Sequence, residues 1–215
     1  VIVRSGRLLG LDGDAALLVA VGLVRLGAQE WQGAAAGAPA WVGGLRAASY
    51  ADAWLAFDEP AAPGLRVPAP AVLRAVVGRA AELVVRSRAG DEPAALEWLG
   101  HRSAEAREQA HRDELTHPAE PCALTLVWHG VQAAATGAGA DHDRRIEERV
   151  EAYVRDRHRR RDTLALVLGC TRIAATTLVE LCEGDPERVA GWLEEDAARA
   201  MPRGGPAPLW VPGRP

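Results

Sequence analysis

The sequence predicts an all-α protein of seven to eight helices arranged as a helical bundle. Three observations carry that prediction. Apolar residues recur at three- and four-residue steps through most segments, which places them on one helical face. Period-two alternation of useful length is absent; only "VIV" at residues 1–3 and "LRVPAP" at 65–70 read as extended pieces. Helix stops and starts, a Gly or Pro beside an Asp, Ser or Thr, punctuate the chain at regular intervals.

The elements follow in order. Asp12 or Asp14 can cap a first helix reaching Gln32, apolar on most of its surface and therefore expected near the centre. "GAAAGAP" breaks it. Pro39 suits the first turn of a second helix reaching Phe57, with Trp41, Leu45, Ala48 and Leu55 on one stripe. The prolines between Asp58 and Pro70 favour extended chain and read as a linker. Pro70 opens a third helix. Leu73, Val76, Val77, Ala80, Leu83 and Val84 form its buried face, while Arg74, Arg79, Glu82 and Arg86 are expected in solvent.

Gly90 ends that helix, Asp91 caps the next, and Ser103 is expected to cap a separate polar helix through His117. Pro118 and Pro121 precede an apolar helix ending near Gly137. A charged segment begins at Asp141; as one helix to Glu183 it would exceed the usual globular length, so a break is expected near Arg161. "EGDPE" after Leu181 gives a stop, a cap at Asp185 and a first-turn Pro186. The last helix runs to Ala200 with Val189, Trp192 and Leu193 inward. By residue number the chain reads as an N-terminal helical hairpin (1–57), a Pro-rich linker (58–70), a helical bundle (71–201) and an extended Pro-rich tail (202–215), able to pack as one domain. No internal repeat of fixed period is evident.

Composition bounds the function. With 48% apolar and 25% charged residues the chain matches ordinary globular proteins. A net charge of −4 argues against polyanion binding by bulk charge and leaves only local patches. Every basic residue other than histidine is arginine, and lysine and asparagine are missing, which points to a GC-rich bacterial genome and weakens any argument from arginine count. Cys122, Cys170 and Cys182 have no metal-type spacing. They read as buried, reduced thiols of a cytoplasmic protein. The apolar run from Ala15 to Val24 is too short to span a bilayer, and Asp12 and Asp14 before it do not suit a secretory signal. No membrane association is expected.

The loudest charge feature is the cluster Arg155, Arg157, Arg159, Arg160 and Arg161. Acids precede it, and the pairs Arg144–Glu148, Glu151–Arg155 and Asp156–Arg160 are four apart, so a solvated helix end explains most of it. At 100° per residue these arginines spread around the helix, whereas a groove-reading helix would gather them on one face. Contact with phosphate is the alternative. Glu108-x-x-His111 and Glu114-x-x-His117 match carboxylate-bridged metal spacing. Both copies would lie on one helix and wind around it, so no metal or other cofactor is expected. His129, Glu108 and His111 are the residues available to an unrecognised helical enzyme. No nucleophile elbow, zinc-protease, P-loop or dinucleotide motif is present. The seven tryptophans are expected as core anchors, with Leu209 and Trp210 in the tail as a docking element for a partner. The leading expectation is a helical protein-interaction or regulatory protein without catalytic activity of its own, acting through a protein partner or as a homo-oligomer. A nucleic-acid-associated regulator is the first alternative and an enzyme the second.

Overall fold

The computed structural model describes residues 12–35, 40–56, 66–112, 119–136, 144–146, 148–150, 152 and 160–200. It is all-α. The helices are α1 (Asp12–Ala35), α2 (Ala40–Trp54), α3 (Ala69–Ser87), α4 (Glu92–His111), α5 (Glu120–Thr136), α6 (Arg160–Leu181) and α7 (Pro186–Ala200). Residues 144–146 and 148–150 are also helical. Two two-residue strands, β1 (Leu55–Ala56) and β2 (Val67–Pro68), pair in parallel with Leu55 opposite Val67. That pairing returns the chain from α2 to the start of α3 and accounts for the extended reading around Val67.

One core joins α1 to the rest. α3 and α6 form the most extensively packed pair; α1 lies against both, and α5 lies against both. α4 packs on α5, α7 on α1, and α2 on α1. The core is built of Ala, Val and Leu, with no described aromatic in it. Such small side chains let helices approach closely. A Cβ on Gly27 of α1 would lie 2.9 Å from Ala175 Cβ of α6, and one on Gly130 of α5 would lie 3.0 Å from Val77 Cγ1 of α3. A Cβ on Gly22 would lie 2.8 Å from Tyr50 Cζ, so the α2 ring rests on bare α1 backbone.

α6 is buried on nearly every side, from Leu166 and Val167 to Leu178 and Val179. The stretch Thr163–Leu181 is apolar and long enough to cross a membrane by composition, yet most of it is covered by the other helices. Its buried Thr171 returns its hydroxyl to the Val167 carbonyl at 2.7 Å, which satisfies the polar group inside its own helix.

The two tight corners share one construction. After α3, Ala89 and Gly90 take φ of 55° and 83°, Gly90 N–H donates to the Val85 carbonyl at 2.9 Å, and Asp91 Oδ1 accepts from Ala94 N–H at 3.0 Å. After α6, Glu183 and Gly184 take 56° and 76°, Gly184 N–H donates to the Val179 carbonyl at 2.8 Å, and Asp185 Oδ1 accepts from Glu187 N–H at 2.8 Å. The left-handed residues close one helix and the aspartate caps the next.

Several expectations need correction. Ser103 does not start a new helix: α4 runs unbroken, and Ser103 sits on its buried stripe with Leu99 and Ala106. Glycine at position 100 costs a helix some stability but does not end it. The buried residues described in α2 are Ala47 and Ala51, one step round from the expected Ala48, while Leu55, expected on the same helix, is buried in β1 because the helix ends at Trp54. Trp41 and Leu45 fall among residues whose side chains are not described. α3 begins one residue before Pro70. The break expected near Arg161 falls beside residues 153–159, which lie outside the described residues, and α6 is described from Arg160.

Two groups of glycine predict opposite signs. Gly78 and Gly100 are exposed, helical and have nothing within 4 Å of an added Cβ. Each change to alanine should stabilise by about 0.5–1 kcal/mol, because alanine loses less backbone freedom on folding. Gly184→Ala, at positive φ, should destabilise by about 1–2 kcal/mol. Chemical denaturation of the three variants measures all of these, and Gly184→Ala matching wild type would contradict the corner geometry.

Candidate functional site

Asp196 is the buried charged side chain among the described residues, with its side chain 2% exposed. It lies on the inward stripe of α7 with Val189, Trp192 and Leu193, as the spacing of these positions requires. Its Oδ1 is 2.8 Å from Nη1 of Arg79 on α3, whose side chain is 14% exposed. The contact is coulombic, since Oδ1 has no aligned hydrogen bond. Arg79 Nη1 also donates to Glu82 Oε2 at 2.7 Å, and Arg86 Nη2 lies 2.8 Å from Glu82 Oε1. Arg79 was expected in solvent; the structure turns it inward, because a carboxylate from a distant helix faces it. Burial pushes the Asp196 carboxyl above its usual range, Arg79 pulls it back, and Glu82 raises it again.

The residues available to an enzyme are not gathered. Glu108 and His111 lie in the last turns of α4, where Arg107, Glu108, His111 and Arg112 line an open depression of about 330 Å³. His111 Nδ1 donates to the Arg107 carbonyl at 2.8 Å, which ties the ring to its own helix. His129 is not in that wall. It is 9% exposed on α5, with its ring edge-on to Trp128 at 5.2 Å. Among the described residues no group of three or more His, Cys, Asp or Glu could hold a metal ion. Glu114 and His117 lie outside the described residues.

The arginine cluster is largely outside the description too. Arg155, Arg157 and Arg159 lie outside the described residues, while Arg160 and Arg161 form the first turn of α6 with side chains not described. Leu209 and Trp210 are also outside. Of the tryptophans whose side chains are described, three pack against the core and two do not. Trp98, Trp128 and Trp192 are half-buried at the edge of the core, with Arg88 stacked over Trp98 at 4.9 Å. Trp31 and Trp54 are 41% and 42% exposed and are the exposed large apolar residues among those described. Both belong to the α1–α2 hairpin. Tyr50 stands 6.2 Å from Trp54 between ring centroids, and burial pushes its phenol up to about 12.

The thiols are free. Cys170 and Cys182 are buried and Cys122 is half-buried. Burial pushes Cys122 up to about 11, against a smaller downward pull from Arg149, and pushes Cys170 and Cys182 upward as well.

No known protein family, curated protein or solved structure matches the chain. What it does must be argued from its own residues.

Two predictions come from this geometry. Arg79→Met leaves Asp196 buried without its cation and should cost about 3–5 kcal/mol at neutral pH. Asp196→Asn should stay within about 1.5 kcal/mol of wild type, since Arg79 keeps Glu82. Asp196 has a raised folded-state pKa, so in the window above the ordinary carboxylate value the folded state binds more protons than the unfolded state. Its contribution is therefore fully present at low pH and lost as pH rises through the folded-state value. The deficit of Arg79→Met should shrink on acidification, and urea melts across the acid range test this; a deficit that stays constant would remove Asp196 as its cause. In the second, an aromatic disulfide reagent at pH 8 should label native Cys122 far more slowly than the unfolded chain, because about a thousandth of it is thiolate there. Native Cys170 should stay unlabelled, and rapid labelling of either would show that the packing around it opens.

Proposed function

We propose that the protein works by binding another protein or a second copy of itself, in the cytoplasm and without catalysis of its own, through the α1–α2 hairpin. The supporting observation is the exposure of Trp31 and Trp54. The chain otherwise keeps aliphatic side chains inside, and α1 and α2 already bury the faces that pack on the core. A partly exposed tryptophan is the residue type that dominates protein interfaces. Leu209 and Trp210, the docking element expected from the sequence, lie outside the described residues, and the reading rests on the folded body instead. A regulatory role would follow from the partner's identity.

Sedimentation velocity from low to high micromolar concentration tests the reading for self-association. The unmodified chain should associate, and Trp31→Ala with Trp54→Ala should weaken that association roughly tenfold or more with an unchanged melting midpoint. A chain that is monomeric throughout, with both tryptophans equally open to an aqueous quencher at every concentration, would overturn self-association through this surface. Fluorescence anisotropy with a random-sequence duplex separates the nucleic-acid alternative. Steeply salt-dependent binding, lost when Arg155, Arg157, Arg159, Arg160 and Arg161 become alanine, would put that alternative first.

A further inference from the structure

We infer that the chain is a tandem duplication of one four-helix unit, folded as an obligate dimer within a single polypeptide. This goes beyond the hairpin reading and does not depend on it. The first unit is α1 to α4, and the second runs from α5 through the helical residues at 144–146 and 148–150 to α7.

Three independent observations fix the correspondence. The corners come first. A shift of 94 residues carries Gly90 and Asp91 onto Gly184 and Asp185, with the same pair of left-handed residues and the same closing bond. The same shift sets Trp98 on Trp192 and Leu99 on Leu193, and carries every buried α3 residue after Ala69 onto a buried residue of α6. Amphipathic helices match at any step of about one turn, so burial alone would not choose this register. The corner chooses it.

The glycine crossings are the second observation. Gly130 of α5 meets Val77 and Ala81 of α3. Gly27 of α1 meets Thr171 and Ala175 of α6. Under the shift already fixed by the corner, Val77 falls on Thr171 and Ala81 on Ala175. Two different helices therefore cross the α3–α6 pair at equivalent points, each through a glycine. Setting Gly27 on Gly130 also places Ala20 on Ala123, Leu23 on Leu126 and Val24 on Val127, all buried.

The third is the contact pattern. Exchanging α1 with α5, α3 with α6 and α4 with α7 turns the α1–α6 contact into α5–α3, the α4–α5 contact into α7–α1, and α3–α6 into itself. That is the pattern of an isologous two-fold interface. Ile146 and Val150, four apart, turn to the core as Ala47 and Ala51 of α2 do. The partner that each unit's surface fits is thus another copy of the unit, supplied by the same chain. Each unit lays its last helix on the first helix of the other, so neither is complete alone. No repeat of fixed period is evident from the sequence; this one escapes it because its offset is about half the chain, is not the same for every helix, and most paired positions differ in residue type.

Double-mutant cycles on the full chain test the equivalence. Gly27→Ala and Gly130→Ala should each lower the melting midpoint by about 2–6 °C, since the added methyl meets a neighbouring methyl. Ala175→Gly should offset the first and Ala81→Gly the second, while the crossed combinations add without coupling. Coupling in one cycle only, or equal coupling in the crossed pairs, would overturn the two-fold. Native-state hydrogen exchange on the unmodified chain reads the same inference without substitutions. The slowest amides of α3 and α6 should exchange through one common opening; protection retained in one unit while the other opens would show two independent units and overturn the obligate pairing.

Discussion

The distance at which helices cross is the constraint from which the rest of this structure follows. α3 and α6 run against each other through Ala, Val, Cys and Thr, and their flanks are met by glycines. At such separations there is no room for rings in the middle, so the aromatics stand at the edge or outside. The same constraint explains the apolarity of α6. A helix packed on several sides has no polar face to keep, and its composition approaches that of a membrane span although neighbouring helices cover it. Threonine is tolerated there because its hydroxyl can bond the preceding turn.

A core of short, similar side chains packs tightly but specifies register weakly, since one alanine seam resembles the next. Two devices supply what the seam lacks. The corners at Gly90–Asp91 and Gly184–Asp185 stop one helix and start the next within a few residues, so the second helix cannot slide along the first. The Asp196–Arg79 contact then marks where α7 lies relative to α3. A buried pair of this kind adds little net stability, but a shifted α7 would strand the carboxylate in the core.

Sequence periodicity made the all-α class, the α6–α7 corner and the inward face of α7 legible, because each rests on local rules of capping and period. It failed where a distant partner decides. Arg79 has the spacing of a solvent residue and becomes inward only because Asp196 faces it. Ser103 looks like a cap after a glycine, yet the stripe through Leu99 and Ala106 carries α4 through it. The tryptophans looked like anchors because anchors are usually large, and nothing local announces that this core excludes them. Glu108, His111 and His129 each fit a catalytic residue type, and only their placement on an exposed helix end and in a buried wall separates them. The paired glycines that carry the two-fold were visible as residues; their meaning required knowing what crosses them.

The departures from two-fold equivalence are then informative in their own right. In a dimer of separate chains every substitution appears twice, so a charge introduced at an interface position meets itself or its partner symmetrically. Fusion removes that restriction. Position 79 carries arginine where its counterpart is Ile173, and position 196 carries aspartate where its counterpart is Arg102, which instead reaches Glu105 and Glu120 on the surface. The buried pair therefore exists once. It favours the arrangement in which α7 reaches the other unit's α3 over one in which it folds back on α6 of its own unit, because folding back would set Ile173 against Asp196 and leave Arg79 facing Arg102. Trp31 is likewise unmatched, its counterpart being Ala134. Shared positions thus account for how the units pack, and unshared ones account for what each unit does that the other does not. On that division Trp31 and the Asp196–Arg79 pair mark one side of the molecule as different from the other.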